Sequence, residues 1–178
     1  MDYSIRPLTQ EDEPFLWQML YEAAHMSEEG ELTIQDAMNH SDLSKYVKNW
    51  GLKDDLGFVA TLVSSNQPIG AAWLRLLTGD NKGYGYINDR TPELAMSGDK
   101  PLCVYAILPE YRNQGIGTQL LTHLLSAAKS AYPSISLSIR STNPALSLYK
   151  GMGFEVVAGS ETINRVGGIS WKMKLNFD

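Results

Sequence analysis

The spacing of apolar residues predicts two helices near the start of the chain. The first follows Thr9, which stands three residues before Asp12 as in a helix cap, and the second lies between Ser41 and Gly51. Along both segments apolar side chains recur every three or four residues, as on one face of a helix. These positions are Phe15, Leu16, Met19, Leu20 and Ala23 in the first helix, and Leu43, Tyr46, Val47 and Trp50 in the second. Both helices are therefore expected to cover a sheet.

The middle of the chain predicts strands. Segments 58–63 and 69–77 are rich in strand-forming residues, and the Ser-Asn-Gln-Pro between them is typical of a hairpin turn. The run from Leu102 to Leu108 is apolar throughout, as expected for a strand buried on both faces. Pro109 ends this strand because proline cannot donate a backbone hydrogen bond. The run from Leu102 to Leu108 is therefore placed at the centre of the sheet.

Helix and strand patterns alternate in the last third of the chain. The predicted order is a helix with Leu120, Leu121, Leu124, Leu125 and Ala128 on its apolar side, a strand over 135–139, a short helix over 144–150, a strand over 154–157 and an alternating run over 169–175. Strands followed by helices, with hairpins at both ends, predict a mixed α/β sheet. No repeat or linker interrupts the pattern, so we expect one domain over residues 1–178.

Composition and charge narrow the function classes. Of the 178 residues, 43% are hydrophobic and 20% are charged, which excludes a disordered chain. The formal net charge of −5 gives no global basic field for a nucleic acid or an anionic membrane. The amino terminus has neither the basic nor the apolar region of a signal peptide, and the single cysteine, Cys103, has no disulfide partner. We expect a cytoplasmic protein.

The turn between the central strand and the long helix is the most informative segment. It contains Arg112, Asn113, Gly115 and Gly117 just before the helix. Amides at a helix start lack intrahelical acceptors, and glycines let an anion approach the backbone, so the turn can cradle a phosphate; Asn113 suits a left-handed position. An ordinary tight turn is the alternative. The dinucleotide and P-loop signatures are both incomplete, so neither NAD nor a nucleoside triphosphate is indicated.

A second segment, after the predicted strand over 135–139, helps to interpret the turn. Residues 143–154 read Asn-Pro-Ala-Leu-Ser-Leu-Tyr-Lys-Gly-Met-Gly-Phe. Together the two segments resemble the GNAT superfamily of acyl-CoA-dependent N-acetyltransferases. Arg112, Gly115 and Gly117 match its Arg/Gln-x-x-Gly-x-Gly/Ala motif, and the second segment is similar to Asn-x-x-Ala-x-x-Leu-Tyr-x-x-x-Gly-Phe, although the alanine follows Asn143 by two residues here. The resemblance covers roughly residues 102–157 specifically.

The resemblance implies a fold and a cofactor. The fold is α/β, with a mixed, mostly antiparallel sheet whose central parallel pair splays apart, flanked by helices. Acetyl-CoA, the co-substrate, is expected between the strands that end near Leu108 and Ile139, with its pantetheine along Ile107 and its pyrophosphate on the turn amides. A backbone N–H near Ile107 is also placed to polarise the thioester carbonyl. The expected contacts are Ile107, Arg112, Asn113, Gln114, Gly115, Ile116, Gly117, Thr118 and Asn143.

Two residues are candidates for proton transfer. By the resemblance, Asn143 and Tyr149 face the leaving sulfur, which makes Tyr149 the general acid; packing between helix and sheet is the alternative. Glu93, in a Pro-Glu-Leu that some members carry just before the central strand, is the candidate base, although residues 97–101 lengthen the connection here. A solvated surface glutamate is the alternative for Glu93.

Other candidates have simpler interpretations. His123 lies off the apolar side of its helix, as a surface residue does. His25 and His40 flank the first helices without a cluster of ligands, so no metal site is expected. The acidic group Glu28, Glu29 and Glu31 is interpreted as a solvated loop, and Cys103 as a buried thiol rather than a covalent carrier. Trp50, Trp73, Tyr84 and Tyr86 are interpreted as core or rim packing.

The predicted function is transfer of an acetyl group from acetyl-CoA to a primary amine by direct attack in a ternary complex. A small amine and a peptide, through its amino terminus or a lysine, both remain open as acceptors. A homodimer also remains open. The alternative function is a non-catalytic CoA-binding sensor of the same fold, which the lack of a carboxylate in Leu102–Leu108 favours and Tyr149 opposes.

Overall fold

A central sheet with helices on both faces organises the protein in a computed structural model, which describes residues 2–23, 33–95, 106–143, 145–164 and 167–177. The strands are β1 (Tyr3–Pro7), β2 (Leu56–Leu62), β3 (Pro68–Arg75), β4 (Glu93–Leu94), β5 (Ala106–Ile107), β6 (Ser134–Arg140), β7 (Glu155–Val156), β8 (Thr162–Ile163) and β9 (Ile169–Asn176). The helices are α1 (Glu13–Ala23), α2 (Ile34–Asn39), α3 (Ser41–Ser44), α4 (Ile116–Ala131) and α5 (Leu146–Gly151). The mixed α/β class predicted from the pattern is confirmed.

The sheet is mostly antiparallel. Its strand order is β1-β2-β3-β4-β6-β9-β7, while β5 pairs with β3 and β8 pairs with β9. The predicted first hairpin is β2 and β3, and β9 forms antiparallel pairs with β6, β7 and β8. A parallel central pair is present, but its described contact joins β4 to β6, where Glu93 lies beside Ser136; the strand predicted to end near Leu108 is described only at its end, as β5. This combination is the predicted mixed sheet with a parallel central pair.

Two apolar cores lie on opposite faces of the sheet. Alternation along β3 separates them: Leu74 points into the core under α4, and Trp73 points into the core under α1, α2 and α3. The apolar positions of α1 behave as predicted, since Leu16, Met19 and Leu20 are buried. Below, these cores are called the α4-side core and the α1-side core.

The second predicted helix is shorter than its apolar pattern suggests. α3 ends at Ser44 and turns continue to Asn49, although Leu43, Tyr46, Val47 and Trp50 are all buried as predicted. The backbone carbonyls of Lys45, Lys48 and Asn49 accept hydrogen bonds from the guanidinium of Arg75. A distant side chain thus satisfies carbonyls that a longer helix would pair internally.

Helix α2 is absent from the sequence prediction. It begins after Thr33, whose side chain and backbone pair with Asp36 in a capping box. Of its six residues, Ala37 is buried. This surface is too narrow to give a recognisable apolar period. Among the described helices, none combines the length and hydropathy needed to cross a bilayer.

Candidate active site

One strand position of the sheet is built from two separate pieces of chain. Opposite β3, Glu93 pairs with Arg75 and Leu94 with Leu74, while Ala106 and Ile107 pair with Ala71 and Gly70 farther along the same strand. Strands β4 and β5 therefore follow one another along β3. Residues 96–105, which include most of the predicted strand over 102–108 and Cys103, lie outside the described residues. Glu93 therefore lies in line with Ile107 along the same side of β3.

The parallel pair is in contact at one end. The amide of Ser136 donates to the carbonyl of Pro92 over 3.0 Å, and Glu93 is the residue paired with Ser136. Beyond this point β6 pairs with β9, and β5 pairs with β3. In the part of the chain that the structure describes, β5 and β6 form no ladder with each other. The sheet is therefore open beside Ile107, where the resemblance predicts the cofactor.

The backbone of Ile107 is turned toward this opening. The amide of Leu108 donates to the carbonyl of Ile69 over 2.9 Å, so Ile107 and Gly70 form the non-hydrogen-bonded type of antiparallel pair. In such a pair the N–H and C=O groups point away from the partner strand. The N–H of Ile107 therefore points away from β3, toward the side on which β6 lies. The predicted backbone contact has the required direction.

The turn into α4 adopts the predicted left-handed conformation. Asn113 has a φ of 62°, and Gly115, which precedes the helix, has a φ of 76°. Gln114 is exposed and Ile116 is buried. The first helical bond joins the amide of Gln119 to the carbonyl of Gly115 over 3.1 Å, so the amides between them start the helix. Gly117 is buried and Thr118 exposed within this first turn. The geometry suits an anion-binding turn.

Arg112 supports the strand rather than extending over the turn. Its Nε donates to the carbonyl of Ile107 over 3.0 Å, and its guanidinium pairs with Glu22 of α1 at 3.3 Å. Half-buried in this position, the side chain holds the end of β5. Arg112 is therefore expected to act on the cofactor indirectly, by fixing the backbone of Ile107.

The second motif places two predicted residues beyond the end of β6. The Oδ1 of Asn143 accepts the amide of Ala145 over 2.9 Å, which orients the chain into α5. Tyr149, on α5, is 1% exposed in the α4-side core, and its ring meets Phe154 edge-on with centroids 5.3 Å apart. Pro144 lies outside the described residues. This environment is compatible with packing and with a proton donor alike.

Glu93 is buried, so its alternative interpretation as a solvated surface residue is wrong. Its side chain is 3% exposed. Oε1 accepts two short hydrogen bonds of 2.7 Å, one from the hydroxyl of Tyr46 and one from the amide of Gly85. Oε2 is buried and has no hydrogen-bond partner among the described residues. A carboxylate in this setting is held firmly by one oxygen only.

The surroundings of Glu93 favour its neutral form. Burial raises the pKa of this carboxyl to about 7, and the hydrogen bonds from Tyr46 and Gly85 and the charges of Lys172 and Lys45 act in the opposite direction. Burial and the neighbouring carboxylate also raise the pKa of Tyr46 well above its usual value, so the phenol keeps its proton. A pKa near neutrality is suited to a group that exchanges protons during turnover.

Residues of the 83–86 segment form a cover that the sequence interpretation missed. A Cβ at Gly83 would overlap Oε2 of Glu93, and one at Gly85 would come within 2.9 Å of its carboxyl carbon. The glycines at positions 83 and 85 are the feature of the sequence that could have indicated a close approach of the backbone here. Tyr46 was predicted only as a core residue, because its periodicity does not show where its hydroxyl points.

The remaining candidates are surface or packing residues, or lie outside the described residues. His123 is exposed, as predicted, while His25, Glu28, Glu29 and Glu31 are not among the described residues. Trp50 and Trp73 are buried, Tyr86 is half-buried and Tyr84 is exposed, in agreement with packing at the core and rim. Within the described ranges, no group of three or more His, Cys, Asp or Glu residues could hold a metal ion.

Comparison with known proteins decides the family. A sequence model of the acetyltransferase (GNAT) domain matches residues 22–177. The chain belongs to the GNAT acetyltransferase family. The match includes the open sheet beside Ile107, the turn into α4 and Glu93, and it confirms the resemblance seen in the two motifs.

Individual relatives of this GNAT protein are more distant. It is 44% identical over 78 residues to an N-alpha-acetyltransferase of Sulfurisphaera tokodaii, a match that covers 42% of this chain and 46% of that protein. The match thus spans about half the length of this curated relative.

Two solved structures share the fold. The ribosomal-protein-S18-alanine N-acetyltransferase of Escherichia coli aligns with a TM-score of 0.65 at 19% identity, over 99% of this chain and 95% of that one. A spermidine N-acetyltransferase SpeG chimera from Vibrio cholerae and hSSAT aligns with a TM-score of 0.62 at 20% identity, over 99% and 96%.

Proposed function

We propose that this chain is an acetyl-CoA-dependent N-acetyltransferase that moves the acetyl group to a primary amine by direct attack, with both substrates bound together. The observation that carries the proposal is the position of Glu93. It is a buried carboxylate in the same strand position as Ile107, where the parallel strands begin to separate. The proposed base, the opening for the cofactor and the anion-binding turn therefore lie in one continuous region.

The described residues fit acetyl-CoA. The left-handed backbone at Asn113 and Gly115 and the start of α4 supply amides for the pyrophosphate, as in other helix-terminal anion sites. The N–H of Ile107, turned toward the opening, is available to the pantetheine or the thioester carbonyl. Asn143 stands where the chain leaves β6 for α5. These residues are the proposed cofactor contacts.

Proton transfer assigns roles to Glu93 and Tyr149. Acetyl-CoA supplies the acetyl group as a thioester. Glu93 takes one proton from the acceptor ammonium, and a water molecule relays it because Oε2 lies closed beneath Gly83. The C–N bond forms as the C–S bond breaks. Tyr149 protonates the departing sulfur and regains the proton that the new amide nitrogen releases, so protons balance at this residue.

The acceptor is expected to be the amino terminus of a peptide. An α-amine has a pKa of about 8 and a lysine amine about 10.4, so the α-amine is far more often deprotonated near neutral pH. A base with a pKa of about 7 is better matched to the first. The relative from Sulfurisphaera tokodaii, an N-alpha-acetyltransferase by name, supports the same choice.

Cofactor binding can be tested without an acceptor. CoA in large excess should raise the melting temperature of the wild-type protein, and adenine dinucleotides should do much less. Gly117→Glu should abolish the shift because the new carboxylate enters the anion site. Ser126→Glu, which adds the same charge at an exposed position on α4, should retain it. Unchanged CoA affinity in Gly117→Glu, measured by calorimetry, would contradict the proposed turn site.

Turnover tests the activity itself. Release of CoA thiol from acetyl-CoA should occur fastest with a peptide that has a free amino terminus, more slowly with an amino-terminally blocked lysine peptide, and more slowly with spermidine. Tyr149→Phe should lower kcat at least ~10-fold while CoA affinity stays constant, because the proton matters only during reaction. A change below twofold would assign Tyr149 to packing.

The alternative, a CoA-binding sensor, was favoured by the lack of a carboxylate in Leu102–Leu108. Glu93, which lies in line with the end of that strand along β3, supports the enzyme instead. Absence of turnover with every amine, together with retained CoA binding, would restore the sensor. A single domain, a cytoplasmic location and a homodimer stay predictions.

A further inference from the structure

The hydroxyl of Tyr46 makes two hydrogen bonds with different roles. Its oxygen accepts the amide of Tyr84 over 2.9 Å. Its own proton is donated to Oε1 of Glu93 at 2.7 Å, because an ionised carboxylate can only accept. Tyr46 is therefore a donor to the carboxylate, and its oxygen is held in place by the main chain.

Cations near Glu93 are engaged with other acceptors. Arg75 lies directly opposite on β3, but its guanidinium binds Asp55 and backbone carbonyls. Lys45 donates to the carbonyl of Lys82 over 2.9 Å, and Lys172 of β9 donates to that of Tyr86 over 2.7 Å. Among the described residues no ion pair includes Glu93.

Among the described residues, the groups that donate hydrogen bonds to this carboxylate are neutral. Tyr46 and the amide of Gly85 both donate to Oε1, and Oε2 is buried without a partner in the part of the chain that the structure describes. An ion pair would keep the carboxylate charged far below neutral pH, whereas neutral donors stabilise the charge to a smaller extent. The two oxygens are thus chemically distinct, and the distinction depends on Tyr46.

We infer that Tyr46 is a positioning residue for acetyl transfer: its hydroxyl, together with the Gly85 amide, fixes Oε1 of Glu93 and leaves Oε2 as the oxygen that takes the proton. The inference rests on the proposed function, in which Glu93 is the base. It adds a residue from the α1-side core that touches neither substrate. Loss of the hydroxyl should leave Glu93 both harder to ionise and free to turn.

The test compares Tyr46→Phe with Tyr132→Phe. Tyr132 is a matched control, because its hydroxyl also makes a short hydrogen bond, 2.6 Å to the carbonyl of Asp54, without contacting Glu93. Carbon-13 NMR of the glutamate carboxyls follows the titration of Glu93 directly, with Glu93→Gln to assign the signal. A hydrogen bond to a charged group supports a rise of about 1–2 pH units in the midpoint for Tyr46→Phe. Tyr132→Phe should titrate like the wild type.

The pH profile of kcat/KM separates positioning from structural damage. For Tyr46→Phe the loss should be roughly 5- to 50-fold at pH 7 and should largely disappear near pH 9, where Glu93 is ionised again. A loss that is equal at all pH values, or an unchanged NMR midpoint in a folded variant, would overturn the inference.

Two further results keep the inference distinct from the function on which it rests. In the wild-type protein, the hydroxyl proton of Tyr46 should shift with the same midpoint as Glu93; an independent midpoint would overturn the inference even if Tyr46→Phe did not fold. If Glu93→Gln turned over like the wild type, the base in the proposed function would fail and the inference with it. If Glu93→Gln is inactive but Tyr46→Phe titrates like the wild type, only the inference fails.

Discussion

Two buried carboxylates, Asp55 and Glu93, lie near the same arginine, Arg75, but only Asp55 forms an ion pair with it. Asp55 binds Arg75 with both oxygens, each at 2.9 Å, and the pair is almost completely buried. Glu93 is the direct cross-strand neighbour of Arg75, in a geometry that brings opposite side chains about 5 Å apart, and yet it forms no ion pair among the described residues. A nearby charge is available to Glu93 and is directed elsewhere.

This difference separates a structural carboxylate, Asp55, from the proposed base, Glu93. Arg75 also binds the carbonyls of Lys45, Lys48 and Asn49, so the Asp55 pair fastens the chain after α3 to the sheet. A base paired in this way would be permanently ionised and too weak to remove a proton. Because Arg75 is bound to Asp55, it does not pair with Glu93. The pKa of Glu93 is about 7, close to the pH at which the reaction is expected to run.

The largest expected effect is on the activity of Glu93→Gln. Gln keeps the size of the side chain and removes the base, so kcat should fall by ~10² to 10⁴. CoA affinity should change little, and so should the melting temperature at or below about pH 4.5, where the stability contribution of the raised pKa is still complete. Steady-state kinetics with the best peptide acceptor measure this loss, and a decrease below threefold would remove Glu93 from the reaction.

Asp55→Asn should act on stability instead. Removing one partner of a buried ion pair leaves Arg75 uncompensated, which costs about 3–5 kcal/mol of unfolding free energy. Denaturant unfolding at pH 7 measures the loss, and Asp54→Asn, at the exposed neighbouring position, is the control. A loss below about 1 kcal/mol would show that the pair is dispensable and would end the contrast with Glu93.

The free energy of unfolding should depend on pH because the pKa of Glu93 is raised in the folded protein. The folded-state pKa of Glu93, about 7, lies above its ordinary value of 4.5, so the protonated form favours folding. This contribution is complete below about pH 4.5 and is lost as the pH rises through 7, by roughly 3 kcal/mol in total. The stability of Glu93→Gln relative to the wild type should therefore increase between pH 5 and 8. A constant difference would contradict the assigned pKa.

The sequence predicts the fold well where a pattern is repeated over many residues. The strand-forming run over 69–77, the alternation over 169–175 and the helical period in α1 and α4 each extend over several residues, and all four elements form. Single-residue conformations are also predictable where only a few residue types suffice, as the positive φ of Asn113 confirms. Helix α2 and the early end of α3 depend on single capping and tertiary contacts, which periodicity does not reveal.

The proposed base, Glu93, shows why the rest of the site could not be predicted from the sequence. Residues 97–101 separate Glu93 from the predicted strand, so linear spacing argues against its role. Pairing with β3 nevertheless places β4 and β5 in one strand position. Neither this register nor the meeting of Tyr46 with Glu93, 47 residues apart, follows from local pattern. Contacts between distant segments determine which carboxylate is buried and which one pairs with Arg75.

The titration of Glu93 in the wild-type protein tests the central claim most directly. Its carboxyl carbon can be followed by carbon-13 NMR from pH 4 to 9 in the free protein, with the signal assigned by its loss in Glu93→Gln. The account predicts a midpoint of about 7, because burial outweighs the hydrogen bonds from Tyr46 and Gly85 and the charges of Lys172 and Lys45. A midpoint at or below 4.5 would show a paired or solvated carboxylate and would contradict the assignment of Glu93 as the base.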